Sequence, residues 1–246
     1  MRIAILSDIH ANRPAFATCL EQARLKGAER IVLLGDYVGY GGEPEWCVDK
    51  VMELAAAGAT VIQGNHDASI ANTRESMNAV GRAVIDWTRG QLSTAQREFL
   101  AALPLTAQEG NTLLVHADAS APASWNYVRD ADAAIKSLRS TDARLTICGH
   151  THSPALFALS VVAKLTSFTP TTDAPVPLLP SRQWLAVAGS VGQPRDGNPA
   201  AAFLMLDTGK SEMTWCRAPY DVEASIAAIR KHGLPEVLAQ RLATGR

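Results

Sequence analysis

The sequence predicts an α/β protein made of two packed β-sheets, the first beginning with parallel strands. Two observations carry this. Three short apolar runs early in the chain are each followed by a loop, and the first two loops by a helix-period stripe, which is the strand-loop-helix grammar of a right-handed parallel sheet. Beyond about residue 155 the grammar changes to strands with no long helix between them, which predicts a second, mainly antiparallel sheet packed on the first. At 246 residues, 47% hydrophobic and 19% charged, the chain can bury a core of that size. No repeat or linker divides it, so a single domain over residues 1–246 is expected.

Ile3 to Leu6 reads as a buried strand that runs into Ser7-Asp8-Ile9-His10-Ala11-Asn12. Arg13-Pro14-Ala15 opens a helix with Phe16, Leu20, Ala23 and Leu25 as its inward stripe and Gly27 as its stop. Ile31 to Leu34 is the second strand. A glycine-rich loop from Gly35 to Gly42 follows it, then a helix from Pro44 to Ala57 that turns Trp46, Val48, Val51 and Leu54 inward. Thr60 to Ile62 is the third strand, and Gly64-Asn65-His66-Asp67 lies just past its end.

Ser76 to about Leu103 is helical in two pieces broken near Gly90, with Ser93 and Gln96 as a capping box for the second. Thr112 to Val115 is a strand ending in His116-Ala117-Asp118; Ser120 to Tyr127 is a loop and Asp130 to Ser140 a helix. Leu145 to Cys148 is a strand running into Gly149-His150-Thr151-His152. The second sheet is expected from Leu156 to Val162, Gln183 to Ala188, Ala201 to Leu206 and Glu212 to Arg217, with a proline-rich loop from Thr169 to Ser181. Helices from Asp221 to Lys231 and from Pro235 finish the chain.

A formal net charge of -1 offers no basic footprint for a nucleic-acid backbone and no polybasic segment for an anionic membrane. The opening residues do not resemble a signal peptide, no apolar stretch reaches bilayer length, and the expected location is the cytoplasm. Four scattered cysteines without a CxxC pair read as free thiols.

The chemistry-bearing residues gather at strand ends. Asp8 and His10 follow the first strand, and alternation along an extended segment would point both the same way while Ile9 turns to the core. Asp36, then Asn65 and His66, then His116, then His150 and His152 follow four further strands. A lone histidine is usually a satisfied polar residue and an Asp in a Gly-rich loop usually a turn former. Five of six histidines in such loops make the joint reading, ligands around one site at one sheet edge, the stronger one.

The series Asp8-Ile9-His10, Gly35-Asp36, Gly64-Asn65-His66-Asp67, His116 and Gly149-His150-Thr151-His152 resembles the calcineurin-like metallophosphoesterase superfamily. Gly189-Ser190-Val191-Gly192-Gln193-Pro194-Arg195-Asp196-Gly197 is similar to a segment of its small bacterial, YfcE-like branch. The resemblance implies a four-layer αββα sandwich. It makes Asp8, His10, Asp36 and His152 the ligands of one metal ion, and Asp36, Asn65, His116 and His150 those of a second. A carboxylate at Asp36 can tie two ions at roughly 3.5–4 Å. Imidazole and oxygen ligands without thiolate suit two divalent transition-metal ions, Mn²⁺ in first place, with Fe or Zn²⁺ as alternatives. Two such ions against two carboxylates and a hydroxide leave a charge of about +1, which favours a phosphate guest.

The implied activity is hydrolysis of small phosphomonoesters, phosphodiesters or dinucleoside polyphosphates by in-line attack of a metal-bridging hydroxide, with His66 as general acid. Protein phosphatases of the superfamily orient that histidine with an Asp in GDxVDRG; here Gly39 and Tyr40 stand at the Asp and Arg positions. The departure counts against protein-phosphatase specificity and leaves Asp67, or an unidentified residue, to orient His66. Asn12, Arg13 and Arg195 are the candidate phosphate contacts, with helix-start and turn roles as their plainer readings. Asp118 is a weaker candidate to orient His116, and Tyr37 and Tyr40 can flank a leaving group or simply pack. Alternatives are a non-catalytic interaction module on the same fold, against which the intact ligand set speaks, and a nuclease, against which the charge speaks.

Overall fold

Strand β1 (Arg2–Leu6) is apolar on both faces because both are covered: Ala4 and Leu6 pack under helices, while Ile3 and Ile5 face a second sheet. In this computed structural model, which describes residues 1–72 and 79–246, that pattern extends to a four-layer arrangement with an apolar core between each pair of adjacent layers. One lies between the two sheets, and one lies on each outer face under helices.

The first sheet holds β1 at its centre, parallel to β2 (Arg30–Leu33), which is parallel to β3 (Thr60–Val61). Helices α1 (Arg13–Leu25) and α2 (Pro44–Ala56) supply the crossovers and cover the outer face. Its other half comes from the far end of the chain. β11 (Ala201–Asp207) pairs antiparallel with β1, β12 (Glu212–Ala218) with β11, and the two-residue β9 (Val176–Pro177) closes the edge. Both long strands were expected in the second sheet. They join the first because β1 would otherwise expose an unpaired edge flanked by apolar faces, which β11 and β12 cover.

The second sheet runs β4 (Thr106–Glu109), β5 (Thr112–Val115), β6 (Leu145–Cys148), β10 (Arg182–Val187), β7 (Ala155–Ser160), β8 (Leu165–Phe168). It is mixed rather than mainly antiparallel, since β5, β6 and β10 are mutually parallel, β8 runs in the same direction, and only β4 and β7 run the other way. Helix α6 (Ala131–Arg139) covers its outer face. β4 and β8 escape sequence reading because they are edge strands of mixed polarity. β9 lies inside the expected proline-rich loop, at an edge where Pro177 need not donate.

Helices α3 (Asn65–Ala71), α4 (Ala79–Gln91) and α5 (Thr94–Ala102) follow β3. The expected helix start at Ser76 lies outside the described residues. Helix α4 passes through Gly90, and the break comes at Ser93, whose Oγ accepts from Gln96 N while Gln96 Oε1 accepts from Ser93 N. Leu25, expected inward, is 61% exposed. Nine positions beyond Phe16, at about 100° each, it falls on the opposite side of α1. Trp46 and Leu54 are only partly buried, and Cys47 takes the inward place on α2. Helices α7 (Val222–Lys231) and α8 (Glu236–Thr244) pack on each other and on α4. Among the described residues no helix is long and apolar enough to cross a membrane.

The carboxyl ends of β1, β2 and β3 and those of β5 and β6 open toward one another at one end of the sandwich. The residues singled out in the sequence sit there.

Candidate metal centre

The chain does not leave β1 extended. Asp8, His10 and Ala11 have φ of 55°, 49° and 50°, so Asp8 and His10 converge through left-handed turns, not through strand alternation. Asp36, His150 and His152 share this conformation at φ of 57°, 60° and 63°, which makes five of the seven predicted ligands left-handed. Each such residue costs on the order of 1–3 kcal/mol unless its surroundings hold it. Backbone hydrogen bonds do so: Asp8 N donates to Gly35 O at 3.1 Å and His10 N to Asp36 O at 2.9 Å. From the other side Gly192 N and Ser190 Oγ donate to Asp8 O at 2.8 and 2.9 Å. The Gly189-to-Gly197 segment thus clamps the first motif.

Ring orientation is set from behind. Nδ1 of His10, His116 and His152 lies 3.2, 2.7 and 2.6 Å from the carbonyls of Val38, Leu34 and Gln193. A carbonyl only accepts, so each Nδ1 carries a proton and each Nε2 is the nitrogen turned inward.

The inward atoms form two clusters linked by a third group, His10, Asp36 and His66. Asp8, His10 and His152 make one group, and Asp36, His116 and His150 another, each with ligand atoms within 4.8 Å of one another. Asp36 Oδ2 is 3.7 Å from His10 Nε2 and 3.4 Å from His116 Nε2, so one oxygen faces both clusters. Oδ1 is committed elsewhere, accepting from His66 N at 2.8 Å. Asn65 Oδ1 joins the second cluster, 3.2 Å from His116 Nε2.

This donor set fits divalent cations. His10 Nε2 and His152 Nε2 face each other at 3.1 Å, and Asp8 Oδ1, 3.2 Å from His152 Nε2, is buried with no hydrogen-bond partner. Burial would raise the Asp8 pKa, yet His152 holds its carboxyl below the usual range. Burial opposes charge on His116 too, but the Asp36 carboxylate pushes it up to about 9, so a proton takes the place a cation would fill. Burial and the nearby charge of His116 bring His150 down to about 3.

His66 lies against this pair, buried, with its ring 4.9 Å from that of His10 and 4.5 Å from that of Tyr40. Asp67 does not orient it. Its carboxylate accepts from the backbone N–H groups of Asp36, Tyr37 and Gly64 at 2.7, 2.9 and 2.9 Å, which ties the second motif to the third. Burial and the Asp36 charge push Asp67 up to about 8 against those donors. Nδ1 of His66 has no hydrogen-bond partner, and a Cβ on Gly39 would stand 2.1 Å from it. The ring occupies the space of the side chain that Gly39 lacks.

Two of the three predicted phosphate contacts lie elsewhere. Asn12 caps α1, its Oδ1 accepting from Ala15 N and Ser225 Oγ while Nδ2 donates to Gly192 O and Tyr220 Oη, so no group is left for substrate. Arg13 points to solvent, pairs with Glu43 and lies over Trp46. Arg195 does stand at the site, with N donating to His152 O and its guanidinium 5.6 Å from the Tyr40 ring centroid. Asp118 binds Ser120 and does not orient His116. Tyr37 is buried with its hydroxyl on the carbonyls of Leu33 and Ile62, whereas Tyr40 lines the site. Sequence reasoning missed Trp125, edge-on to His116, and Tyr127, stacked on His150. Both lie in an irregular stretch whose only signal was its position between two ligand-bearing strands.

The profile of the calcineurin-like phosphoesterase superfamily domain matches residues 1–211. A crystal structure of a metallophosphoesterase from Sphaerobacter thermophilus is 33% identical, covers 100% of this chain and 99% of its own, and superposes with a TM-score of 0.88. An uncharacterized protein of Methanocaldococcus jannaschii is 32% identical over 99% of this chain and 98% of its own. A hypothetical protein from Pyrococcus horikoshii OT3 has the same fold, with a TM-score of 0.81 at 20% identity over 100% of this chain and 98% of its own. With its five motifs brought to one end of a two-sheet sandwich, this chain belongs to the calcineurin-like phosphoesterase superfamily.

Proposed function

We propose that the protein is a binuclear metal-dependent phosphoesterase of small phosphorylated substrates: monoesters, diesters or dinucleoside polyphosphates. One observation carries the reading. Asp36 Oδ2 stands between two inward-facing donor groups, within 3.7 Å of His10 Nε2 and 3.4 Å of His116 Nε2. Asp8, His10, Asp36 and His152 would hold one ion, and Asp36, Asn65, His116 and His150 the other, Mn²⁺ by preference, or Fe or Zn²⁺. Bound there, such ions offset phosphate charge and make water acidic enough to attack at neutral pH.

The chain's own residues do the rest. The Nδ1 anchors hold three imidazoles with Nε2 aimed inward, so these three ligands need not reorient during turnover. His66, whose backbone N–H donates to Asp36 Oδ1, gives its ring proton to the departing oxygen. Tyr40 walls that side and holds Arg195 over its ring, a cation for phosphate oxygens. A cytoplasmic location belongs to the same proposal and is supported by four unpaired cysteines.

Metal analysis together with turnover of p-nitrophenyl phosphate, its bis ester and a dinucleoside polyphosphate in Mn²⁺ tests the reading. The expected result is two ions per chain and hydrolysis of at least one substrate. No bound metal and no turnover with any divalent ion would reject it.

A further inference from the structure

Three of the four histidine rings facing the two clusters are anchored alike, Nδ1 to a backbone carbonyl. His150 is the exception. Neither ring nitrogen makes a hydrogen bond among the described residues, and only its backbone N–H is tied, to Asp8 Oδ2 at 3.0 Å. Its ring lies instead on Tyr127, with centroids 4.1 Å apart and planes at 20°. The guanidinium of Arg129 is 3.7 Å from the same Tyr127 centroid. An imidazole and a guanidinium cannot both sit so close to one face of a phenol, so Tyr127 is a plate between them.

We propose that Tyr127, backed by Arg129, is the positioning residue of His150 and thereby sets the affinity of the Asp36–Asn65–His116–His150 cluster for its divalent ion. The proposal rests on the binuclear reading above. A ring pinned by a hydrogen bond cannot turn without breaking it, whereas a stacked ring is held in its plane only while the plate remains. The plate is held from the solvent side, since Tyr127 is 39% exposed and Arg129 is exposed. The second cluster therefore has a peripheral, removable support that the first lacks. Removing a group that orients a metal-binding histidine typically weakens affinity about 10- to 100-fold. Trp125 meets His116 edge-on and leaves that ring's carbonyl anchor as its main support.

The test is equilibrium dialysis of the full chain against graded Mn²⁺, with metal content per chain as readout. Wild type is expected to hold two ions. Tyr127→Ala is expected to keep the first ion at wild-type affinity and bind the second about 10- to 100-fold more weakly. Tyr127→Phe, which preserves the plate, is expected to restore it, and Arg129→Ala to show a smaller loss at the same ion only. The metal-free unfolding midpoint of Tyr127→Ala should match wild type, which separates positioning from general stability. Both ions bound at wild-type affinity by Tyr127→Ala would overturn the proposal while leaving the binuclear reading intact. Equal loss in Tyr127→Phe would assign the effect to the hydroxyl and overturn it too. A wild-type chain that binds no ion would remove the reading on which it rests. Should Tyr127→Ala not fold, Arg129→Ala decides, and unchanged affinity there overturns the proposal.

Discussion

His10 Nε2 and His152 Nε2 lie 3.1 Å apart while each ring gives its other nitrogen to a backbone carbonyl, Val38 and Gln193 respectively. Two such nitrogens held face to face repel unless a cation or proton stands between them. A metal-stripped protein should therefore be less stable than the loaded one. At metal concentrations 100-fold above a site's Kd, binding stabilises the fold by about 2.7 kcal/mol. For a domain of this size that is about 5–10 °C in the unfolding midpoint. Thermal melts with chelator and with Mn²⁺ measure it, and identical midpoints would count against a metal at this site.

Asp36→Asn should cost more than Asp8→Asn. Asp36 Oδ2 faces both clusters, whereas Asp8 Oδ1 faces His10 and His152 only. The expected metal content is near zero for the first variant and one ion for the second. Turnover in the first should fall by on the order of 10³-fold or more, several kcal/mol of lost charge stabilisation. Equal metal content in the two variants would deny Asp36 its shared position.

His66→Asn should keep both ions and lose roughly 10²- to 10⁴-fold in kcat. The loss should be smallest with a good leaving group such as p-nitrophenol, which needs little protonation, and largest with an alkyl ester. A loss independent of leaving group would make His66 a structural neighbour of Asp36 rather than an acid.

Gly39→Asp should not recreate the protein-phosphatase arrangement. Gly39 has φ of 87°, and its Cβ would stand 2.1 Å from His66 Nδ1. The expected outcome is a loss of about 1–3 kcal/mol in urea unfolding, with kcat reduced by displacement of His66. Wild-type stability and activity would show that the ring has room to move.

Asn12→Ala should destabilise without touching substrate affinity. It removes the α1 cap and leaves Gly192 O and Ser225 Oγ short of a partner, a cost of roughly 1–3 kcal/mol. Arg13→Ala, at an exposed ion pair, should change stability by less than about 1 kcal/mol. An increase in KM for either would return it to the binding site.

Much of the site was legible in the linear order of residues. Apolar runs such as Ile3 to Leu6 and Leu145 to Cys148 can only be strands covered on both faces. The carboxylates and imidazoles just past them must then lie at carboxyl ends of parallel strands. That reasoning placed Asp8, His10, Asp36, Asn65, His66, His116, His150 and His152 together and identified the two-sheet class.

What neighbours do to one another became known only in three dimensions. β11 and β12 went to the first sheet because the open edge of β1 is a long-range feature that local periodicity does not encode. Asp67 could not be told from a histidine partner until its oxygens were found on three backbone N–H groups. Asn12 and Arg13 share a motif with His10, yet one turn of helix sends the first into a cap and the second to solvent. The Tyr127 plate on His150 depends on a loop with no periodicity. A chain's pattern determines which residues reach the same end of a sheet, whereas the direction of each polar group is settled by the nearest partner that satisfies it.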